Sequence, residues 1–209
     1  MIIEKEFKDN GFDNIVCYSG RDITEDLIKR CLNLDTAFYE KEFYWDNTDI
    51  INVVKENPQM CFIFVDTIRQ NIIGYSYWFP IKLDIINKFI HDKEPLLDIK
   101  KEYISGYKTS PVHLFLGGEA FVPGYDLMLL HKVIEDIFQW HILVLAQNGV
   151  KVDNICFDAV CDYDKFFLVK NVGLNNCVIK KNCSFYYGKY SPNIVYNESK
   201  YCKELKKYY

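Results

Sequence analysis

The chain has no run of roughly 18 apolar residues, so no segment reads as a membrane-spanning helix. Its first residues, MIIEKEFKDN, lack the basic-then-apolar order of a secretory leader. There is no basic excess either: 25 Lys and Arg against 29 Asp and Glu leave a formal charge of -4. A nucleic-acid surface wants a basic face, so no nucleic-acid partner is expected, although a local basic patch beside an anionic ligand is still allowed. No C-x-x-C pair occurs among the eight cysteines, and Cys61 and Cys156 sit inside the apolar runs MCFIFV and NICFDAV. Such thiols read as reduced, buried small hydrophobes. A zinc site from Cys156, Cys161, Cys177 and Cys183 is conceivable, but the spacings match no familiar zinc module, and no metal is expected. His113, His131 and His141 show no ligand spacing and read as structural or exposed. Internal repeats and low-complexity linkers are missing too. These absences predict a cytoplasmic protein with one domain over 1–190 and a tail over 191–209.

What is present is a large apolar complement, 49% of residues, with 16 Tyr and 15 Phe, enough for a sizeable core. NIVCYS (14–19) reads as a short strand. Thr24 then looks like an N-cap with acids in the first turn, and Leu27, Cys31, Leu34 and Phe38 recur at helical spacing. A second short helix is expected from Thr48 to about Glu56, stopped before Pro58. MCFIFVD and IIGYSYWF, joined by the polar TIRQN turn, read as an antiparallel hairpin. Residues 82–110 read as an insertion at the edge of the sheet. VHLFLGGEAFV is a strand closed by Pro123-Gly124, followed by an apolar helix from about Asp126 to Gln147. Leu127, Leu130, Ile134, Ile137, Phe138, His141 and Leu145 form its stripe, widened by Met128, Leu129, Val133, Trp140, Leu143 and Val144. Such a helix is buried on more than one side. NICFDAV follows as a second strand, so the strand–helix–strand crossover predicts two parallel neighbours in one sheet. A short helix near Asp162 and one or two strands over 176–187 complete the pattern.

In its order of elements the chain resembles the GNAT superfamily of acyl-CoA-dependent N-acyltransferases over about residues 13–188. FIFVDTIRQNIIGYSYWFPI is similar to that family's second and third strands, with Gly74 in its "v-G-f". EAFVPGY is similar to the end of the fourth strand, and AVCDYDKFFLVKNVGL to the last conserved helix. The resemblance implies an α/β (mixed α+β) fold. A central mixed, mostly antiparallel sheet would carry one parallel strand pair, flanked by helices on both faces. It also implies that the parallel pair parts near Val122 and Ala159, where the arm of a coenzyme A thioester enters. Two departures stand out. The family's pyrophosphate loop, R/Q-x-x-G-x-G/A, is here Asp126-Leu127-Met128-Leu129-Leu130-His131, with Leu129 and His131 where glycines fall. The tyrosine that in the family often protonates the leaving thiolate falls at Val169, and Tyr163 is no obvious replacement.

The resemblance implies a cofactor site on Phe121, Val122, Gly124, Tyr125, Asp126, Leu127, Met128 and Leu129. Amides at a helix N-terminus there would meet the phosphates, with Lys165 and Lys170 as possible cationic contacts or merely solvated lysines. As an N-cap, Asp126 would compete for those amides. Alternation puts Gly117, Glu119 and Phe121 on one face of the strand, where Glu119 could take a proton from an attacking amine or sit in a structural ion pair. Tyr39, Tyr44 and Trp45 could shape an acceptor pocket or pack as core. The expected activity is transfer of an acyl group, acetyl in the simplest case, from acetyl-CoA to a small-molecule or peptide amine, by a monomer or homodimer. The alternative is a non-catalytic GNAT-like module that has lost coenzyme A and binds a ligand or partner. A third reading is self-association through a sheet edge or the Tyr-rich tail.

Overall fold

A computed structural model describes residues 2–38, 47–92, 100–108, 110–159, 173–180, 183–192 and 200–209. The strands are β1 (Ile2–Ile3), β2 (Ile15–Ser19), β3 (Cys61–Asp66), β4 (Asn71–Ile81), β5 (Val112–Phe121), β6 (Val152–Ala159), β7 (Asn176–Ile179) and β8 (Ser184–Lys189). The helices are α1 (Lys5–Asp9), α2 (Glu25–Phe38), α3 (Asn47–Glu56), α4 (Leu83–His91), α5 (Leu127–Gln147) and α6 (Cys202–Leu205). The strands form one sheet in the order β1-β2-β3-β4-β5-β6-β8-β7. Pairing is antiparallel within β1-β2-β3-β4 and within β6-β8-β7, and parallel between β5 and β6. The fold is therefore α/β, with a mixed, mostly antiparallel sheet holding one parallel pair and flanked by helices.

The chain divides into two compact units. The first comprises residues 1–78, 97–102 and 117–133. Its core gathers aromatic side chains of β3 and β4 with those of Phe7 and Phe121. Phe64 meets Phe7 edge-on at 5.6 Å and Phe121 at 5.3 Å between ring centroids. Phe62 lies 4.1 Å from Trp78, whose indole N–H donates to Ser76 Oγ at 2.7 Å. Gly74 is required by close approach rather than by a turn. A Cβ there would stand 2.2 Å from the Phe121 ring and 2.6 Å from the Ala120 carbonyl oxygen. The α2 start follows the cap expectation: Thr24 Oγ1 accepts from Leu27 N at 3.2 Å. The β1 and α1 elements were not foreseen; Phe7 anchors α1, fully buried.

The second unit comprises residues 79–96, 103–116 and 134–209. Here Val112–Leu116 of β5 pair with Val152–Phe157 of β6. Along α5, Ile134, Ile137, Phe138, Ile142, Leu143, Leu145 and Ala146 are all buried, as a helix covered on more than one side requires. The insertion needs a correction. It does not lie at a sheet edge, because it joins β4 to β5, which are neighbours in the middle of the strand order. Its helix α4 has a reason to stay: Phe89 is buried and meets Phe185 at 6.3 Å and Tyr103 at 5.9 Å. Within 200–209, Cys202 and Leu205 are buried, and Tyr209 Oη accepts from Val152 N at 2.7 Å.

Candidate active site

β5 changes character at Gly117. Among the described residues its ladder with β6 ends at Leu116↔Phe157, while β5 itself runs on to Phe121. The second half opens with two glycines; Gly117, Gly118, Glu119 and Phe121 are half-buried, and Ala120 is buried. Gly118 lies beside the mutually tilted rings of Tyr75 and Tyr77, 4.8 Å apart; a Cβ there would touch both, at 3.6 and 3.8 Å. Past the strand, Val122 N donates to Ile73 O at 2.8 Å. Gly124 then turns the chain at φ +102°, in the left-handed region that favours glycine.

The turn leads into the N-terminus of α5, where the first N–H groups have no intrahelical partner. Asp126 caps it, its Oδ1 accepting from Leu129 N at 3.1 Å. The N-cap foreseen for this carboxylate is therefore present in the fold. Leu127 and Met128, expected to add to the apolar stripe, are instead 42% and 81% exposed. They lie in the first turn, and burial along α5 begins at Leu130, which is fully covered.

Glu119 and His131 come together: Oε1 stands 2.8 Å from Nδ1, with the two side chains 28% and 12% exposed. The His131 ring also meets Phe121 edge-on at 5.8 Å. The imidazole that stands where the family loop has a glycine is thus folded against the strand. At this distance a carboxylate and a protonated imidazole form an ion pair.

Two residues missed from sequence brace the turn. Asp66, 1% exposed, accepts from Ile68 N at 3.0 Å and Arg69 N at 2.9 Å on Oδ1, and from Tyr125 Oη at 2.8 Å on Oδ2. Burial alone would raise its pKa, but the donors, Arg69 N and Tyr125 Oη foremost, outweigh it and hold the carboxyl at about 2. Burial and the Asp66 charge push the Tyr125 phenol up. Arg69 reaches the same place, its Nη1 3.4 Å from Tyr125 Oη and its Nε 3.8 Å from Asp66 Oδ2. The polar TIRQN turn of the hairpin was legible in the sequence. The bond to a tyrosine fifty-nine positions away was not.

Of the residues singled out from sequence, Glu119, Phe121, Val122, Gly124, Tyr125, Asp126, Leu127, Met128 and Leu129 lie together on this strand, turn and helix start. Lys165, Lys170, Tyr163, Val169, Tyr39, Tyr44 and Trp45 lie outside the described residues. His113 is buried beside Asn154 Nδ2 at 2.8 Å, and burial drives the His141 pKa down to about 4. Cys17, Cys31, Cys61, Cys156, Cys183 and Cys202 are buried, and Cys177 is exposed.

Neither a family model nor a curated protein sequence matches the chain. Solved structures do. The loading GNATL domain of CurA from Lyngbya majuscula superposes with a TM-score of 0.56 at 12% identity, over 85% of this chain and 97% of that one. The ribosomal-protein-S5-alanine acetyltransferase from Vibrio fischeri gives 0.47 at 10% identity, over 90% and 97%. A GNAT-like decarboxylase, GphF in complex with isobutyryl-CoA, gives 0.46 at 13% identity, over 72% and 69%. The chain has the GNAT fold, as its order of strands and helices implied.

Proposed function

We propose that the chain is an acyl-CoA-dependent N-acyltransferase, acetyl being the simplest acyl group, acting on a primary amine of a small molecule or peptide. The observation that carries this reading is the second half of β5. Among the described residues, Gly117–Phe121 continue as strand beyond the last residue paired with β6, then lead through the Gly124 turn into the N-terminus of α5. Backbone N–H and C=O groups of an extended strand are obligatory hydrogen-bonding groups, and the pantetheine arm carries amides that complement them. The helix start offers N–H donors and a positive dipole end to the pyrophosphate. Exposed Leu127 and Met128 offer apolar surface to the same ligand.

In the reaction the amine nitrogen attacks the thioester carbonyl, the C–N bond forms, and the C–S bond breaks. The sulfur leaves as thiolate and takes up a proton from solvent or an acid. Glu119 takes the proton lost by the nitrogen, directly or through water, with His131 holding the carboxylate in place. A backbone N–H of β5 polarises the carbonyl as charge develops on its oxygen. Isothermal titration with acetyl-CoA tests the reading: heat of binding and a raised melting temperature are expected. No heat and no protection overturn it.

A second reading is favoured by one observation, the Asp126 carboxylate on Leu129 N. With that amide taken and a negative charge beside it, the fold would serve as a binding module without coenzyme A. Full retention of the cellular role in Glu119→Gln would favour this module over the enzyme.

A further inference from the structure

Asp66 is a buried carboxylate, which a fold tolerates only when it is well supplied with donors. Two of its donors, Ile68 N and Arg69 N, belong to its own hairpin turn and would suffice to shape it. A further donor, Tyr125 Oη at 2.8 Å, comes from the turn between β5 and α5. Tyr125 stands between Gly124, where the chain reverses with positive φ, and Asp126, which caps α5. Fixing its side chain fixes the approach of the chain to the first turn of the helix. That matters here because the two positions where glycines would shape a pyrophosphate loop hold Leu129 and His131. The conformation of this turn must be imposed from outside it.

We propose that Asp66 is a positioning residue for the phosphate end of acyl-CoA: through Tyr125 it holds the β5–α5 turn so that the Leu127 and Met128 N–H groups point at the phosphates. This rests on the acyl-CoA reading above. It adds a residue from the β3–β4 hairpin that touches neither substrate nor reacting atoms.

The test is Tyr125→Phe, which removes one hydroxyl from a half-buried ring, with Asp66→Asn as the harsher variant whose folding is checked by melting. Coenzyme A binding is measured by titration calorimetry, and pantetheine, which carries no phosphate, by competition. The expected result is a coenzyme A Kd weakened about tenfold in Tyr125→Phe, the effect of one hydrogen bond to a charged group. Pantetheine binding should be unchanged, and the melting temperature should fall by a few degrees at most, the cost of one donor lost to Asp66. An unchanged coenzyme A Kd overturns the proposal while the acyl-CoA reading stands. Equal weakening of coenzyme A and pantetheine overturns it too, because a general loss of structure would do that. A wild-type protein that binds no coenzyme A at all removes the acyl-CoA reading, and this proposal with it.

Discussion

Val112–Leu116 and Gly117–Phe121 are halves of one strand, yet they are built for different ends. In the first half Val112, Leu114 and Phe115 are at most 2% exposed, and the backbone is laddered to β6. In the second the side chains shrink to two glycines, a carboxylate is left part-exposed, and the β6 ladder has stopped. The first half gains free energy from burial and hydrogen bonding. The second forgoes part of that: its backbone is not laddered to β6, and its carboxylate meets His131. Ligand-binding segments are often drawn from the less stabilised parts of a fold, and under the proposed function that change would occur within a single element.

Substitution should separate the two halves. Leu114→Ala removes a fully buried side chain and leaves a cavity, so it should cost about 2–5 kcal/mol, read from urea unfolding. Any coenzyme A binding by the molecules still folded should be little altered. Glu119→Gln should do the reverse. Glutamine is nearly isosteric and can still meet His131, but it cannot accept the proton, so kcat/KM should fall about a hundredfold or more with little change in melting temperature. The assay is release of free thiol from acetyl-CoA, with whichever amine of a panel the wild type acylates. If Glu119→Gln lowers stability and leaves turnover intact, the carboxylate is an ion-pair partner of His131 and the contrast between the halves fails.

The same contrast shows how far sequence reasoning reaches. Periodicity gave the β3–β4 hairpin, the β5–α5–β6 crossover and its parallel pairing, because each depends on residues close in the chain and on the handedness of a crossover. It gave the Asp126 cap for the same local reason. It placed Leu127 and Met128 on a buried stripe because a helical wheel carries no information about where the covering structure ends. It misplaced the insertion because an irregular segment does not say which strands flank it in space. Asp66 and the Glu119–His131 contact were out of reach. Each depends on two elements meeting through tertiary packing, and no spacing rule links Asp66 to Tyr125.

The smallest expected effect is the one that decides between the two functional readings. Asp126 stabilises α5 twice, by accepting from Leu129 N and by placing a negative charge at the positive end of the helix dipole. A phosphate group would want the same amide and the same field, so the carboxylate opposes it through both competition and repulsion. Asp126→Ser keeps a side-chain oxygen for the cap and removes the charge. Helix stability should change by only a few tenths of a kcal/mol, since serine and aspartate are near-equal caps. Coenzyme A should bind about three- to tenfold more tightly at low ionic strength, the size of one screened surface charge contact. The gain should shrink in high salt, whereas the contribution of direct hydrogen bonds should not. Titration calorimetry at two salt concentrations reads both. A variant that binds no better than wild type at low salt means that the phosphates do not sit at the start of α5, and the cap is then only a cap.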